Sequence, residues 1–283
     1  MRLVRYGTAG CERPAMLDGH DQLRDLSTAI DDIVGLSLSR EALRNLAAID
    51  VETLPVVQGA PRLGPPIGRV GKIVAIGLNY TDHAREASLP IPAEPVVFLK
   101  ATSSICGPND DIVIPRGSKK TDWEVELGIV IGERASHVGE DAALDHVAGY
   151  LLVNDVSERE YQLERGGTWD KGKGCDTFGP LGPWFVTSDE IDDPQNLAMW
   201  LDVNGERRQT GHTSTMIFGV RTIVSYVSRF MTLDPGDIVI TGTPAGVGLG
   251  IKPQPRFLKA GDVVELGIDK LGTQRQRFVD RES

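Results

Sequence analysis

TDWEVELGIVIG at 121–132 and GYLLVNDVSERE at 149–160 decide how this chain is read. Side chains alternate across a strand, so Asp122, Glu124 and Glu126 share one face while Trp123, Val125, Leu127 and Ile129 fill the other. The second stretch stays apolar from Tyr150 to Val153 and then meets Asn154 and Asp155, which puts a carboxylate at the end of a buried strand. Where two such strands lie together, three carboxylates converge, and their repulsion keeps one protonated unless a cation intervenes. All-oxygen ligation favours Mg²⁺, Mn²⁺ or Ca²⁺ over Zn²⁺, whose sites usually include His or Cys. The same alternation also suits the solvated face of an edge strand, although an acid that closes an apolar run needs a partner.

The 283 residues suffice for one sizeable domain, or for a small domain and a larger one. A formal charge of −10 argues against nonspecific binding to nucleic acid or anionic membrane and leaves room for a small acidic metabolite in a local basic pocket. No apolar stretch approaches the length of a membrane span, and the start, MRLVRYGTAG, lacks an apolar signal core. Cys11, Cys106 and Cys175 form no zinc-type pair and suit reduced thiols, so a cytoplasmic location is expected.

Residues 2–27 read as short strands, and Ser39 reads as the N-cap of a helix carrying Leu43, Leu46 and Ala47 on one face. The Pro- and Gly-rich segment around 61–71 separates a small N-terminal domain, 1–60, from a larger unit, 72–283. KIVAIGL is an apolar strand, and YTDHAREA is a helical turn opened by Asn79 or Thr81. On that turn His83 and Glu86 share a face, as a proton-abstracting pair or as ordinary helix-surface polarity. Lys100 ends the strand PVVFLK, either as a ligand contact or as a solvated strand end. SEREYQLERGG places Arg159 and Gln162 on one helix face. The following TWDKGKGCDTFGPLGPW is too rich in Gly and Pro for regular structure. Asn204-Gly205 forms a tight hairpin, and TSTMIFGVRTIVSYVSRFMTL is mostly helical, burying Ile217, Val220, Ile223, Val224 and Val227. PGDIVITGTP pairs with AGDVVELGI, which suggests a β-rich body. TGTPAGVGLG lacks the following helix and later acidic residue of a dinucleotide loop; its backbone N–H groups and the hydroxyls of Thr241 and Thr243 either hold a carboxylate or make a tight turn. Walker and G-x-S-x-G motifs are absent.

GLNYTDHAREA, FLK, WEVELGIVIG, NDVSERE, KGCDTFGPLGP and TGTPAGVG, in this order, resemble the fumarylacetoacetate hydrolase family over about residues 70 to 268. The resemblance implies an α+β, β-rich fold: a mixed β-roll with few helices, led by a small N-terminal α/β domain and usually dimeric. It implies Mg²⁺ or Mn²⁺ on Glu124, Glu126 and Asp155, with Ca²⁺ able to substitute. It makes His83 and Glu86 the water-activating pair and Lys173, with Lys171 as its neighbouring candidate, the stabiliser of developing negative charge. Lys100, Arg159, Gln162 and Thr243 become substrate contacts. Ile76, Gly77 and Leu78 stand where larger animal-type members have a fourth metal carboxylate, so waters or substrate oxygens would complete the metal shell. Some small acylpyruvate hydrolases carry Arg at the position of Leu78.

The activity implied is divalent-metal-dependent hydrolysis of a C–C bond in a 2,4-diketo acid, of acylpyruvate or 2,4-diketo-3-deoxy sugar acid type, giving a 2-oxo acid and a carboxylic acid. Rivals are ureidoglycolate lyase, decarboxylation or isomerisation of oxo acids on the same site, and a noncatalytic metal-binding protein. The acyl pocket is expected in loops 85–95 and 163–172.

Overall fold

The run Val125–Ile131 is buried along its whole length because it lies inside a sheet with neighbours on both sides. In the computed structural model, which describes residues 1–281, nine strands form one mixed sheet. Their spatial order is Leu23–Asp25, Arg13–Leu17, Arg2–Tyr6, Phe185–Thr187, Val147–Asn154, Val125–Ile131, Ile238–Ile240, Ile73–Gly77 and Val96–Lys100. All neighbours are antiparallel except Ile238–Ile240 beside Ile73–Gly77. The edge-strand alternative for Glu124 and Glu126 is thereby overturned.

A five-stranded sheet follows the order Glu206–His212, Ala198–Val203, Val263–Ile268, Gly272–Asp280 and Ile112–Ile114. Period-two alternation divides the apolar residues of the large sheet between two cores. Leu127, Ile129 and Leu152 pack with Leu201, Leu266 and Phe278 of the smaller sheet and with Ile223 and Val227 of the helix Val220–Ser228. Val130, Leu151 and Val153 face the other way, toward Leu3, Leu26, Leu38 and Phe185. The chain is α+β and β-rich, as expected.

The N-terminal strands extend the large sheet through the pairing of Arg2–Tyr6 with Phe185–Thr187. Ser39 Oγ accepts from Ala42 N at 3.2 Å and caps the helix Arg40–Ala47, which buries Leu43 and Leu46 but leaves Ala47 exposed. A buried ion pair rigidifies the same region. Asp18 accepts from Arg24 Nε at 2.8 Å and from the N–H groups of His20 and Gln22, at 2.8 and 2.9 Å. Burial pushes its carboxyl upward, but these donors prevail and hold it down to about 2.

Three local expectations are corrected. The strands of PGDIVITGTP and AGDVVELGI belong to different sheets, because Ile238–Ile240 is captured between Val125–Ile131 and Ile73–Gly77. The helix after Thr213 spans only Val220–Ser228, since Thr213–Thr215 forms a separate single turn and leaves Ile217 outside. The Gly-rich stretch after Leu163 contains a short helix, Asp170–Lys173. The Asn204-Gly205 hairpin forms as expected, with φ of 52° and 76°. Among the described residues, no helix is long and apolar enough to cross a membrane.

Candidate active site

Strand register builds the acid cluster. Val153 pairs with Glu126 and Asn154 with Val125, which sets Asp155 opposite Glu124 and brings alternate side chains to one face. Asp155 N donates to Glu124 O at 2.8 Å, and Asn154 Oδ1 accepts from Glu124 N at 3.1 Å, fastening the two strand ends together. Carboxylate oxygens of Glu124, Glu126 and Asp155 consequently lie within 4.8 Å of one another, all three side chains being buried.

Three cations surround the cluster. Lys173 Nζ donates to Glu124 Oε2 and Asp155 Oδ2, each at 2.6 Å. Arg159 Nη2 lies 2.7 Å from Glu124 Oε1, while its Nε donates to Asp122 Oδ2 at 2.8 Å and its Nη1 to Gln162 Oε1 at 2.9 Å. Lys100 Nζ sits 2.6 Å from Asp155 Oδ1. The Lys100 and Arg159 Nη2 contacts are close but poorly aligned, so Asp155 Oδ1 and Arg159 Nη2 lack a well-directed hydrogen bond. Burial raises the Glu124 carboxyl, but the charges of Lys173 and Arg159 outweigh it and hold the group well below its ordinary value. Glu126 moves the other way: burial, then the charges of Asp155 and Glu124, push it far upward. Burial lowers Lys173, yet Asp155 and Glu124 leave it raised overall, whereas burial dominates at Lys100 and lowers it.

The donor set suits a hard divalent cation. It is all oxygen and buried, includes the poorly satisfied Asp155 Oδ1, and leaves the Glu126 carboxyl pushed upward by burial and by Asp155 and Glu124. Four carboxyl groups, counting Asp122, face the three cations Lys173, Arg159 and Lys100. A divalent ion would offset the excess of carboxyl groups over cations.

Glu126 Oε2 also accepts from Gly242 N at 2.7 Å. Gly242 has φ of 90°, and a Cβ there would lie 2.9 Å from Asn79 Cβ and 3.0 Å from Ile76 O. The loop after Ile240 therefore does hold a carboxylate, but the protein's own. The hydroxyl protons of Thr241 and Thr243 go to Leu127 O and Val125 O, at 3.1 and 2.9 Å, and Gln209 Nε2 donates to Thr243 Oγ1 at 2.8 Å.

His83 and Glu86 lie on the helix Thr81–Glu86, with Nδ1 3.1 Å from Glu86 Oε2; the other carboxylate oxygen of Glu86 accepts from Gly246 N at 2.9 Å. Neither Asn79 nor Thr81 caps this helix. Asn79 Oδ1 instead accepts from Phe218 N at 2.8 Å and Nδ2 donates to Thr241 O at 2.8 Å, tying the helix start to the Gly242 loop.

His83, Glu124, Glu126, Arg159, Gln162 and Lys173 line one cavity of about 220 Å³, with Thr243 also on its wall. Lys171 points away, to Arg165 O. Lys100 is a buried strand end and does not line the cavity; its contacts are Asp155, Val156 O and Lys173 O, which makes it a support of the cluster. Sequence reasoning missed two supports. Asp122 leaves the acid face to receive Arg159 and the N–H groups of Trp123, Gly248 and Leu249. Trp169 packs edge-on against Phe98, with ring centroids 5.2 Å apart, in a slot that Gly77 opens: a Cβ at Gly77 would come within 2.3 Å of the Trp169 ring. Glycine at a strand end was the available signal.

A relative from Burkholderia ambifaria is 62% identical over 276 residues, 98% of each chain. The structure of fumarylacetoacetate hydrolase from Exiguobacterium antarcticum matches with a TM-score of 0.88 and 35% identity, covering 99% of this chain and 100% of that one. Maleylpyruvate hydrolase from Sphingobium sp. SYK-6, in complex with manganese(II) and pyruvate, matches with a TM-score of 0.82 and 29% identity over all of both chains. A 2-hydroxyhepta-2,4-diene-1,7-dioate isomerase from Mycobacterium marinum matches with a TM-score of 0.75 and 34% identity, again over all of both. The model of the fumarylacetoacetate hydrolase C-terminal domain covers residues 72–279, and the chain belongs to the fumarylacetoacetate hydrolase family.

Proposed function

We propose that the chain hydrolyses a C–C bond of a 2,4-diketo acid, releasing a 2-oxo acid and a carboxylic acid. The observation that carries this reading is one cavity lined by a carboxylate-backed histidine, a buried lysine, and Glu124 and Glu126 of the three-carboxylate cluster, with Asp155 behind them. A metal cluster alone would not need the histidine pair.

Glu124, Glu126 and Asp155 would hold Mg²⁺ or Mn²⁺, which would supply Lewis-acid polarisation of the substrate's 2-oxo acid head. Glu86 keeps the Nδ1 proton of His83 in place and leaves Nε2 to accept a proton from water. The resulting hydroxide attacks C4. Collapse of the tetrahedral adduct breaks the C3–C4 bond, its electron pair passes to C3 as the enolate of the 2-oxo acid, and C3 is then protonated. Lys173 would steady the developing oxyanion or supply that proton, a class of contribution worth about 3 kcal/mol of barrier. Arg159, fixed by Asp122 and Gln162, shapes the cavity wall beside Glu124.

The isomerases among the related structures favour a second reading, enolisation of an oxo acid without water addition. The test is an Mn²⁺-loaded assay on acylpyruvates, 2,4-diketo-3-deoxy sugar acids, oxaloacetate and ureidoglycolate with both products identified. Pyruvate plus a carboxylic acid supports hydrolysis; isomerised substrate, or glyoxylate and urea with diketo acids untouched, overturns it. A homodimer belongs to the same reading, and light scattering at twice 30.7 kDa checks it.

A further inference from the structure

The cavity changes character from floor to mouth. Its polar groups are buried, Glu126 and Lys173 at 2% exposure and Arg159 at 4%. Its rim is apolar and open to solvent: Leu89, Val96, Leu163 and Leu249 are exposed by 54, 36, 48 and 37% and all line the cavity. These four are a large share of the exposed bulky apolar residues among the described residues, and their gathering round one opening marks an apolar binding surface. Leu78, on the same wall, is held at φ of 51°, a backbone conformation that disfavours leucine and persists only where its surroundings enforce it. Trp169, seated over Gly77, adds an aromatic face.

Among the described residues, no lysine or arginine lines the outer end of the cavity. The cations lining the cavity are Arg159 and Lys173, with His83 as the one other basic group. Every nitrogen of Arg159 faces Asp122, Glu124 or Gln162, and Lys173 faces Glu124 and Asp155. A second carboxylate reaching the rim would meet leucines and no lining cation, and a polyhydroxylated chain would cover apolar surface without gaining hydrogen bonds from it.

We infer that the group beyond the 4-carbonyl is an unbranched or aromatic apolar acyl chain, and that Leu78, Leu89, Val96, Leu163, Leu249 and Trp169 select it over dicarboxylates and sugar acids. The inference rests on the diketo-acid reading for the orientation of the ligand head, so its test uses binding, separate from turnover. Simple 2-oxo acids share that head and differ only in the tail. Calorimetry on the Mn²⁺-loaded protein compares 2-oxobutanoate, 2-oxohexanoate and 2-oxoadipate. Two added methylenes should tighten binding about tenfold from 2-oxobutanoate to 2-oxohexanoate, and 2-oxoadipate should bind more weakly than 2-oxohexanoate. Leu163→Lys should invert that last preference. Equal or tighter binding of 2-oxoadipate to the unaltered protein, or no binding of any 2-oxo acid, overturns the assignment. If the tail order holds but no acylpyruvate is hydrolysed, the hydrolase reading fails while the apolar pocket stands.

Discussion

Lys173→Met tests the electrostatics of the cluster, because it keeps a stem of similar length and removes the ammonium group with its charge and its hydrogen bonds to Glu124 and Asp155. Lys173 Nζ makes contacts of 2.6 Å to both Glu124 and Asp155 in a setting almost closed to water. Removing one member of a buried ion pair typically costs roughly 3–5 kcal/mol. Arg159 still faces Glu124 and Lys100 still faces Asp155, so the low end, about 3 kcal/mol, applies here. For a domain of this order of size that corresponds to a fall in melting temperature of roughly 6–12 °C. Thermal melts of metal-free protein followed by circular dichroism read it directly. Mn²⁺ titrated by calorimetry should bind the variant more tightly than the wild type, since one competing positive charge has left the carboxylates, even as turnover falls. A metal-free variant melting within 2 °C of wild type, together with unchanged or weaker Mn²⁺ affinity, would refute the electrostatics drawn for this site.

His83→Ala should lower turnover by about 10²–10⁴-fold while leaving Mn²⁺ binding in place; full turnover by the variant would remove His83 from water activation. Gly242→Ala should destabilise by at least about 1–2 kcal/mol from its left-handed backbone alone, and should weaken Mn²⁺ binding because the new Cβ meets Asn79 and Ile76 O and shifts the N–H that holds Glu126. Wild-type thermal stability with normal Mn²⁺ affinity would show that this N–H does not matter. Asp18→Asn addresses pH. The folded carboxyl lies near 2, below its ordinary value of 3.8, so its stabilisation is present above 3.8 and is lost as pH falls through about 2. The stability gap between wild type and variant should be constant from pH 7 to 5 and close toward pH 2; a gap that widens on acidification would contradict the sign.

What could be read in advance was local. The alternation of Glu124 with Glu126 and the apolar run into Asp155 depend on strand periodicity alone, and the register Val153 to Glu126 turns that periodicity into a cluster. The His83–Glu86 and Arg159–Gln162 pairs depend only on helical spacing. What escaped depends on residues distant along the chain. Asp122 looked like another member of the acid face, but the strand breaks at Trp123 and Glu124, and the N–H groups of Gly248 and Leu249 turn Asp122 toward Arg159. Lys100 reads in the sequence as a ligand contact or a solvated strand end, yet it lies under Asp155 because the edge strand that carries it abuts the short helix Asp170–Lys173. The sequence leaves the hydroxyls of Thr241 and Thr243 between holding a carboxylate and a tight turn, and the sheet claims both for Leu127 O and Val125 O. Leu89, Leu163 and Trp169 of the rim fall in the loops 85–95 and 163–172 where the acyl pocket is expected, whereas nothing in the spacing of leucines brings Leu249 to the same opening.

The central claim, that water is added at C4, is tested most directly by turnover of an acylpyruvate in H₂¹⁸O by the Mn²⁺-loaded enzyme, with mass spectrometry of the products. Hydrolysis predicts a carboxylic acid that carries ¹⁸O, formed in equal amount with pyruvate. Consumption of substrate without a labelled carboxylic acid, with an isomer or CO₂ in its place, would contradict it.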